Sequence, residues 1–380
     1  MMRPIYLDYA AATPLDPEVL ATMQPYFTEE FYNPSTTYAA GRQVRAGIDD
    51  ARRGIALVMG ARSSDIIFTA GATEANNLAL SSIMQTYPGK RLVVSAIEHP
   101  SVRETAQQFT YTEWPVTPDG IIDLTAAGEL LQPDVVLVSV MYANNEVGTI
   151  QPLRHLAALV QAERKRRQTA GDPTPLYLHT DATQAANYLD LHVSRLGVDL
   201  MTLNGGKIYG PKQIGLLYAQ TGVPLTPLIR GGGQERGMRS GTENVAGIIG
   251  MCVALERAQA QRHDETQRLH LLQTLFLDLF RAQIPAGIIN GSLTNRLPNN
   301  VHVTIPGHDN ERLLMALDNQ GIMVATGSAC SASNEEPSHV LAAMDISESL
   351  AQSSLRFTMG RATTETDIRC TVTVLEQLVR

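Results

Sequence analysis

At 380 residues, with 44% hydrophobic and 18% charged content, the chain has the makeup of an ordinary globular protein long enough for two domains. Its formal charge of −8 is spread without long runs, so it lacks the basic face that nucleic acid or an anionic membrane would require, and neither is expected as a partner. No run reaches the ~18 apolar residues of a membrane span, and the first residues, MMRPIYLDY, lack the apolar stretch of a signal peptide. Cys252, Cys330 and Cys370 have neither paired nor zinc-type spacing. A cytoplasmic protein without a disulfide framework or a metal site is expected.

Residues 1–15 read as an extended arm. A helical pattern follows over 17–27, then a loop at Asn33-Pro34-Ser35 and a helix over 44–59. From there short apolar runs alternate with helical patterns. Strands are expected at 66–69, 91–97, 135–141, 176–178, 198–203 and 215–219. Strands separated by helices imply right-handed crossovers and a mostly parallel sheet. The basic cluster Arg164-Lys165-Arg166-Arg167 reads as a solvated helix C-terminus. A long helical stretch over 244–279 reads as a connector. After Pro285 the pattern restarts, with strands at 300–305, 323–326 and 355–359 and helices at 310–319 and from Thr364. The expectation is an α/β chain: a large domain over 16–260 with a mostly parallel sheet, and a smaller C-terminal α/β domain over 261–380, joined by the arm 1–15.

Thr73, His99, Asn145, Asp181, Gln184 and Lys207 each follow a predicted strand within a few positions. The carboxyl ends of parallel strands form the ligand crevice, so these residues converge on one edge of one sheet. Asp181 and Lys207 lie 26 positions apart (207 − 181), both just past strand ends. An enzyme that holds pyridoxal phosphate needs such a pair. The lysine amine forms a Schiff base with the cofactor aldehyde, and the acid keeps the pyridine nitrogen protonated so that the ring accepts electrons. From this stretch alone, a surface lysine and a helix-capping aspartate fit equally well. Gly71-Ala72-Thr73 opens a helix directly after a strand, where free N–H groups and the helix dipole favour an anion; a plain capping box is the blander reading.

YLDYAAATP, GATEANNLA, ANNEVG, HTDATQ, GGKIYGPKQIG, RGMRSGTEN and GSACSASNEEPS follow one another between Tyr6 and the last strand. With these motifs in this order, the chain resembles the cysteine desulfurases of the class V aminotransferase group, in their long-loop, group I form. The resemblance implies a pyridoxal phosphate enzyme of fold-type I and a homodimer whose active sites are shared across the interface. It implies that Lys207 bears the cofactor, that Asp181 faces the pyridine nitrogen, and that Asn145 and Gln184 bond the phenolic oxygen. Ala72, Thr73 and Asn204 fall at the phosphate, and Thr242 reaches the phosphate of the partner subunit. His99 stacks over the ring, available for proton transfer. Asn145 and Arg356 meet the substrate, the guanidinium fork clamping its carboxylate.

Cys330, in a small polar segment, is by the same resemblance the thiolate that takes the sulfur of L-cysteine, leaving L-alanine and an enzyme persulfide. Residues 331–337 resemble the longer loop of members that hand the persulfide to a sulfur acceptor or an iron–sulfur scaffold protein. Cys252 and Cys370, in apolar helical stretches, read as buried structural cysteines. Two positions depart from the family pattern: a hydroxyl residue is replaced by Asn204 and a histidine by Gly206. Both commonly contact the phosphate, so a cofactor that binds but is more readily lost is expected. The rival readings are a selenocysteine lyase or another class V enzyme, and a non-catalytic subunit that presents a sulfur-transfer protein.

Overall fold

After a short arm strand, β1 (Ile5–Tyr6), seven strands build the main sheet of the computed structural model, which describes residues 3–327 and 338–380. They are β2 (Ile66–Thr69), β3 (Arg91–Ser95), β4 (Tyr111–Trp114), β5 (Val135–Ser139), β6 (Tyr177–Asp181), β7 (Leu200–Asn204) and β8 (Gly215–Ala219). Their order is β2-β8-β7-β6-β5-β3-β4. β7, β6, β5, β3 and β4 pair in parallel through helical crossovers. β8 runs antiparallel to both β7 and β2. No long helix separates β7 from β8, only a single turn at Gly205–Lys207 and a loop, and without a crossover the chain must reverse.

Every residue of β5 is buried, because helices cover both faces of the sheet, and such strands read as continuous apolar runs. β4 has no such run. It lies at the sheet edge as Tyr-Thr-Glu-Trp, with only Trp114 buried, which is why apolar periodicity passed over it. The single helix expected over 17–27 is two, Pro17–Met23 and Pro25–Thr28, since Pro25 has no N–H to continue the ladder. The basic cluster is not wholly solvated. Arg167 is buried, donating Nε to Glu163, Nη1 to the Val135 carbonyl at 2.7 Å and Nη2 to the Gln132 carbonyl at 2.8 Å. It ties the helix Leu153–Thr169 to the start of β5.

The connector is the helix Val245–Gln283, 39 residues and so roughly 60 Å long. Asn244 caps it, accepting from Gly247 N at 3.0 Å. Its first part, Ala246 to Ala258, packs into the apolar core that includes Met201 and Leu203 of the main sheet. Its second part, Leu269 to Phe280, packs into a separate core with Val301, Phe357 and Val372. This second core is built on β9 (Ile288–Ile289), β10 (Asn300–Thr304) and β12 (Ser354–Thr358), an antiparallel sheet in the order β12-β10-β9. β11 (Ile322–Met323) pairs in parallel with β1 instead, and Leu7 of the arm is buried in the second core. Among the described residues no helix is long and apolar enough to cross a membrane.

A buried ion pair fixes the segment before the long helix. Arg52 donates to Glu235 Oε1 at 2.6 Å and Oε2 at 2.7 Å, and to the Ile66 carbonyl at 2.8 Å. Removing one partner of a buried pair leaves an uncompensated charge and typically costs ~3–5 kcal/mol. Arg52→Ala is expected to lower the denaturant midpoint by an amount of that order, whereas Arg53→Ala, on the exposed face of the same helix, leaves it nearly unchanged.

Candidate active site

At the carboxyl edge of the main sheet lies a cavity of about 260 Å³. Ala72, Thr73, His99, Asn145, Asp181, Gln184, Asn204, Lys207 and Arg356 all line it. Each arrives from a strand end or the turn after it, except Arg356, which sits in the middle of β12 and approaches from the smaller sheet. Thr242 does not line this cavity. It lies exposed beside a second pocket of about 220 Å³ with Gly241, Glu243 and Arg239. Cys330 lies outside the described residues.

Asp181 is buried at the end of β6. Its Oδ2 accepts from Asn76 Nδ2 at 2.7 Å and its Oδ1 from Thr183 N at 2.9 Å. Lys207 closes the turn after β7, and its ammonium donates to the carbonyls of Ala10, at 2.9 Å, and Ala11. Gln184 Nε2 donates to the same Ala10 carbonyl at 3.1 Å. Asn204 turns its Oδ1 onto Gly206 N at 3.1 Å, so the donor end of its amide is the part available to an anion.

Arg356 is almost fully buried. Nη2 pairs with Asp8 Oδ1 at 2.7 Å and Nη1 donates to the Asn145 carbonyl at 3.0 Å. Two of the five guanidinium N–H groups are thus taken, and Nε is buried without a partner among the described residues. His99 caps the helix Pro100–Ala106, its Nδ1 accepting from Ser101 N at 3.1 Å. Burial holds its imidazole below the usual histidine range; the charge of Asp181 opposes this, and Lys207 and His339 reinforce it.

The helix Ala72–Thr86 begins after Gly71, whose φ of 153° and ψ of 177° lie in a region populated almost only by glycine. Gly71 has no side chain to cap the helix, and Ala72 and Thr73, its first two residues, line the cavity. The first-turn N–H groups and the exposed Thr73 hydroxyl are suited to an anion.

Several important neighbours were not singled out from sequence. Asn76 stands three positions after Thr73, hence one helical turn on, and that spacing was a usable signal. Asp8 had no local signal, because it meets Arg356 only through the fold. Glu98 is wholly buried and accepts from Met141 N at 2.6 Å. Burial pushes its carboxyl well above the usual range, with Asp181 adding to the effect. The structural reading of Cys252 agrees with its surroundings: burial, then Glu256, pushes its thiol up to about 12. Cys370 is only half-buried, on the flank of the helix Glu365–Val379, and is not the core cysteine expected.

These residues fit pyridoxal phosphate. A buried carboxylate for the pyridine nitrogen, an amine for the aldehyde and an uncapped helix start for the phosphate face one cavity. Thr183 Oγ1, on its wall, is buried without a partner among the described residues, as a ligand-facing group would be. Fold and site together define a pyridoxal phosphate enzyme of fold-type I. The family model for class V aminotransferases matches residues 5–370, and the chain belongs to that family. It is 41% identical to the cysteine desulfurase IscS of Dictyoglomus turgidum, across all of this chain and 95% of that protein. It is 37% identical to the cysteine desulfurase IscS of Methanosarcina thermophila, across all of this chain and 92% of the relative. The solved structure of a NifS-like protein superposes with a TM-score of 0.91 at 31% identity, covering 99% of both chains.

Two expectations follow. Borohydride treatment of the cofactor-loaded protein, then peptide mapping, is expected to leave the pyridoxyl label on Lys207; a label on Lys212 would refute the assignment. The second concerns Gly206, which is not in the left-handed region. An added Cβ would meet Lys212 Cγ at 3.5 Å and Asn204 Oδ1 at 3.6 Å, both ordinary contacts. Gly206→His therefore fits without backbone strain. One hydrogen bond to a charged group contributes ~1.5–3 kcal/mol, about one to two decades in affinity. The variant should retain cofactor through dialysis that strips the wild type, and equal retention would mean that Gly206 is already compensated.

Proposed function

We propose that this chain is a cysteine desulfurase, converting L-cysteine to L-alanine while the sulfur passes to Cys330. The observation that carries the reading is Arg356 lining the same cavity as Lys207, Asp181 and His99. An amino acid needs a cation for its carboxylate beside the group that reacts with its amine, and a buried guanidinium with N–H groups to spare meets that need. The named relatives support the choice of substrate, as does the likeness to a structure described as SspA in complex with cysteine, at 32% identity and a TM-score of 0.80 over 93% of this chain and 98% of that one.

Pyridoxal phosphate supplies an electron sink when bound at this site. The remaining tasks fall to side chains. Asp181 would hold the proton of the pyridine nitrogen, and Lys207 would hold the cofactor through its aldehyde. Asn145 and Gln184 set the ring's phenolic oxygen, and Thr73 and Asn204 hold the phosphate. Arg356 fixes the carboxylate, so that the β-carbon and its sulfur have one orientation. The Cys330 thiolate attacks that sulfur. The carbon–sulfur bond breaks as a sulfur–sulfur bond forms, and the released electron pair takes a proton to complete the methyl group of alanine. One sulfur moves from cysteine to Cys330, and the balance needs no external oxidant or reductant.

The persulfide sulfur goes on to an acceptor protein, an iron–sulfur scaffold or a thio-cofactor enzyme, in the cytoplasm. A homodimer with shared sites belongs to the same reading. Its support is Thr242, exposed and away from the cavity of its own chain, where a second copy could receive it. The division into 16–260 and 261–380 is supported by the two apolar cores, which occupy the long helix on either side of residues 259–268.

Cys330→Ser tests the reaction. It is expected to bind L-cysteine, since Arg356 and Lys207 are intact, while alanine production falls by about two orders of magnitude or more, as when other nucleophiles are removed. Undiminished alanine from the variant would refute the persulfide route and favour a thiol-independent lyase.

A further inference from the structure

We propose that His302 is a positioning residue for Arg356, its Nε2–H donating to a buried water that also takes the Nε–H of Arg356 and itself donates to Asn300 Oδ1. In the antiparallel pair of β10 and β12, His302 stands directly opposite Arg356, and Asn300 opposite Thr358. Opposite residues put their side chains on one face of a sheet, with Cβ atoms about 4.5–5.5 Å apart, and alternate residues of a strand share that face. Asn300, His302 and Arg356 are therefore neighbours on one side, while Val301, Val303, Leu355 and Phe357 fill the second core on the other. Arg356 Nη1 donates to the Asn145 carbonyl at 3.0 Å, and Asn300 Nδ2 to the carbonyl of the next residue, Glu146, at 2.9 Å, which brings the two side chains together again. All three residues are buried. His302 Nε2, Arg356 Nε and Asn300 Oδ1 have no hydrogen-bond partner among the described residues.

A chain of hydrogen bonds settles what each atom offers. Ser354 Oγ lies 2.8 Å from the Leu350 carbonyl, which can only accept, so its hydrogen is spent there. Thr304 Oγ1, 2.6 Å from Ser354 Oγ, must then donate to it. Having given its hydrogen, Thr304 accepts from Asn290 Nδ2 at 2.8 Å, which fixes the orientation of that amide. The same Nδ2 donates to His302 Nδ1 at 2.9 Å, so Nδ1 carries no proton and the neutral ring bears its hydrogen on Nε2. Burial, then the charges of Arg296 and Arg356, push the imidazole down to about 3 and keep it neutral. His302 Nε2 and Arg356 Nε are thus both donors and cannot satisfy one another. Buried polar groups that no protein atom reaches are met by ordered water. The Asn300 oxygen identifies the ligand. Its amide is oriented by the Glu146 carbonyl, so Oδ1 needs a donor, which a chloride or other bare anion is not. Water accepts from both nitrogens and donates to the oxygen. The bridge holds the Nε edge of the guanidinium. Asn145 and Asp8 each take one hydrogen of the other two nitrogens, which leaves one on each for a carboxylate in the cavity. On the desulfurase reading, on which this role rests, that carboxylate belongs to L-cysteine.

The test is a crystal structure of the cofactor-loaded protein at a resolution that shows waters, together with steady-state kinetics of two variants. A water within about 3.2 Å of all three atoms is expected. No water there, or a chloride identified by its anomalous signal, overturns the proposal. His302→Gln keeps an N–H donor near the Nε2 position, and its KM for L-cysteine should stay within about threefold of the wild type. His302→Phe keeps the bulk and loses the donor. Its KM should rise about tenfold, the scale of one hydrogen bond, while kcat stays within about threefold. An unchanged KM in the phenylalanine variant, or a glutamine variant as impaired as the phenylalanine one, overturns the proposal. The 15N spectrum of histidine-labelled wild type does not depend on either variant folding: a protonated Nε2 and a bare Nδ1 are expected for His302, and a protonated Nδ1 overturns the bridge. A wild type that makes no alanine from cysteine would strike the desulfurase reading instead, while the crystal water and the spectrum still decide what His302 holds.

Discussion

Charge has to be kept at the end of a sheet whose strands are buried on both faces, and the rest of the site follows from that need. Asp181 and Arg356 are buried, and an ion removed from water without partners costs several kcal/mol. Asp181 is offset by donors from two directions, the Asn76 amide from the neighbouring helix and the Thr183 N–H from its own turn. Arg356 is offset by Asp8 and by the Asn145 carbonyl. Lys207 has the carbonyls of Ala10 and Ala11. Asp181 and Lys207 are thus each held by partners of their own while both line the same cavity.

The N-terminal arm supplies much of this compensation, and it does so while tying the two sheets together. Its β1 pairs with β11, its Asp8 binds Arg356 of β12, and Ala10 N donates to Thr358 Oγ1 at 2.9 Å. A few residues on, Thr13 donates to the Gly206 carbonyl at 3.2 Å and accepts from Tyr209 N at 2.9 Å, clasping the Lys207 turn from both sides. The arm therefore fixes the lysine of one sheet relative to the arginine of the other. Both line one cavity, and their separation there is set by a segment with hardly any secondary structure of its own.

What could be read from sequence divides along the same line. The parallel strands were legible because burial on both faces demands apolar runs, and the polar residues after them were legible because parallel strands share a carboxyl edge. Thus Asp181, His99, Asn145 and Lys207 are gathered by the sequence pattern alone. β4 was hidden, since an edge strand needs no such run. The arm's contacts were hidden for a different reason. Asp8 and Arg356 lie 348 positions apart and Ala10 and Lys207 197 apart, and no local periodicity encodes such pairs. Arg167 misled because a charge run at a helix end is usually solvated. Here one member turns inward to satisfy the carbonyls of Val135 and Gln132.

The segment that carries Thr242 shows how local strain is held in the same fold. Glu235 and Arg236 adopt φ values of 47° and 57°, consecutive left-handed residues that are not glycine. Each costs roughly 1–2 kcal/mol relative to ordinary backbone. Against this, the Glu235 carboxylate takes two bonds from Arg52 and one from Phe68 N at 3.0 Å, and bonds to a charged group contribute about 1.5–3 kcal/mol each. Arg236 adds donations to the Ile66 carbonyl at 2.7 Å and the Ser64 carbonyl at 3.0 Å. These bonds hold the turn to β2 and to the helix that carries Arg52. A few residues further, Arg239 pairs with Glu74 on the helix whose first residues line the cavity. The exposed Thr242 is therefore carried on a segment fastened to the same strand and helix that line the cavity of its own chain.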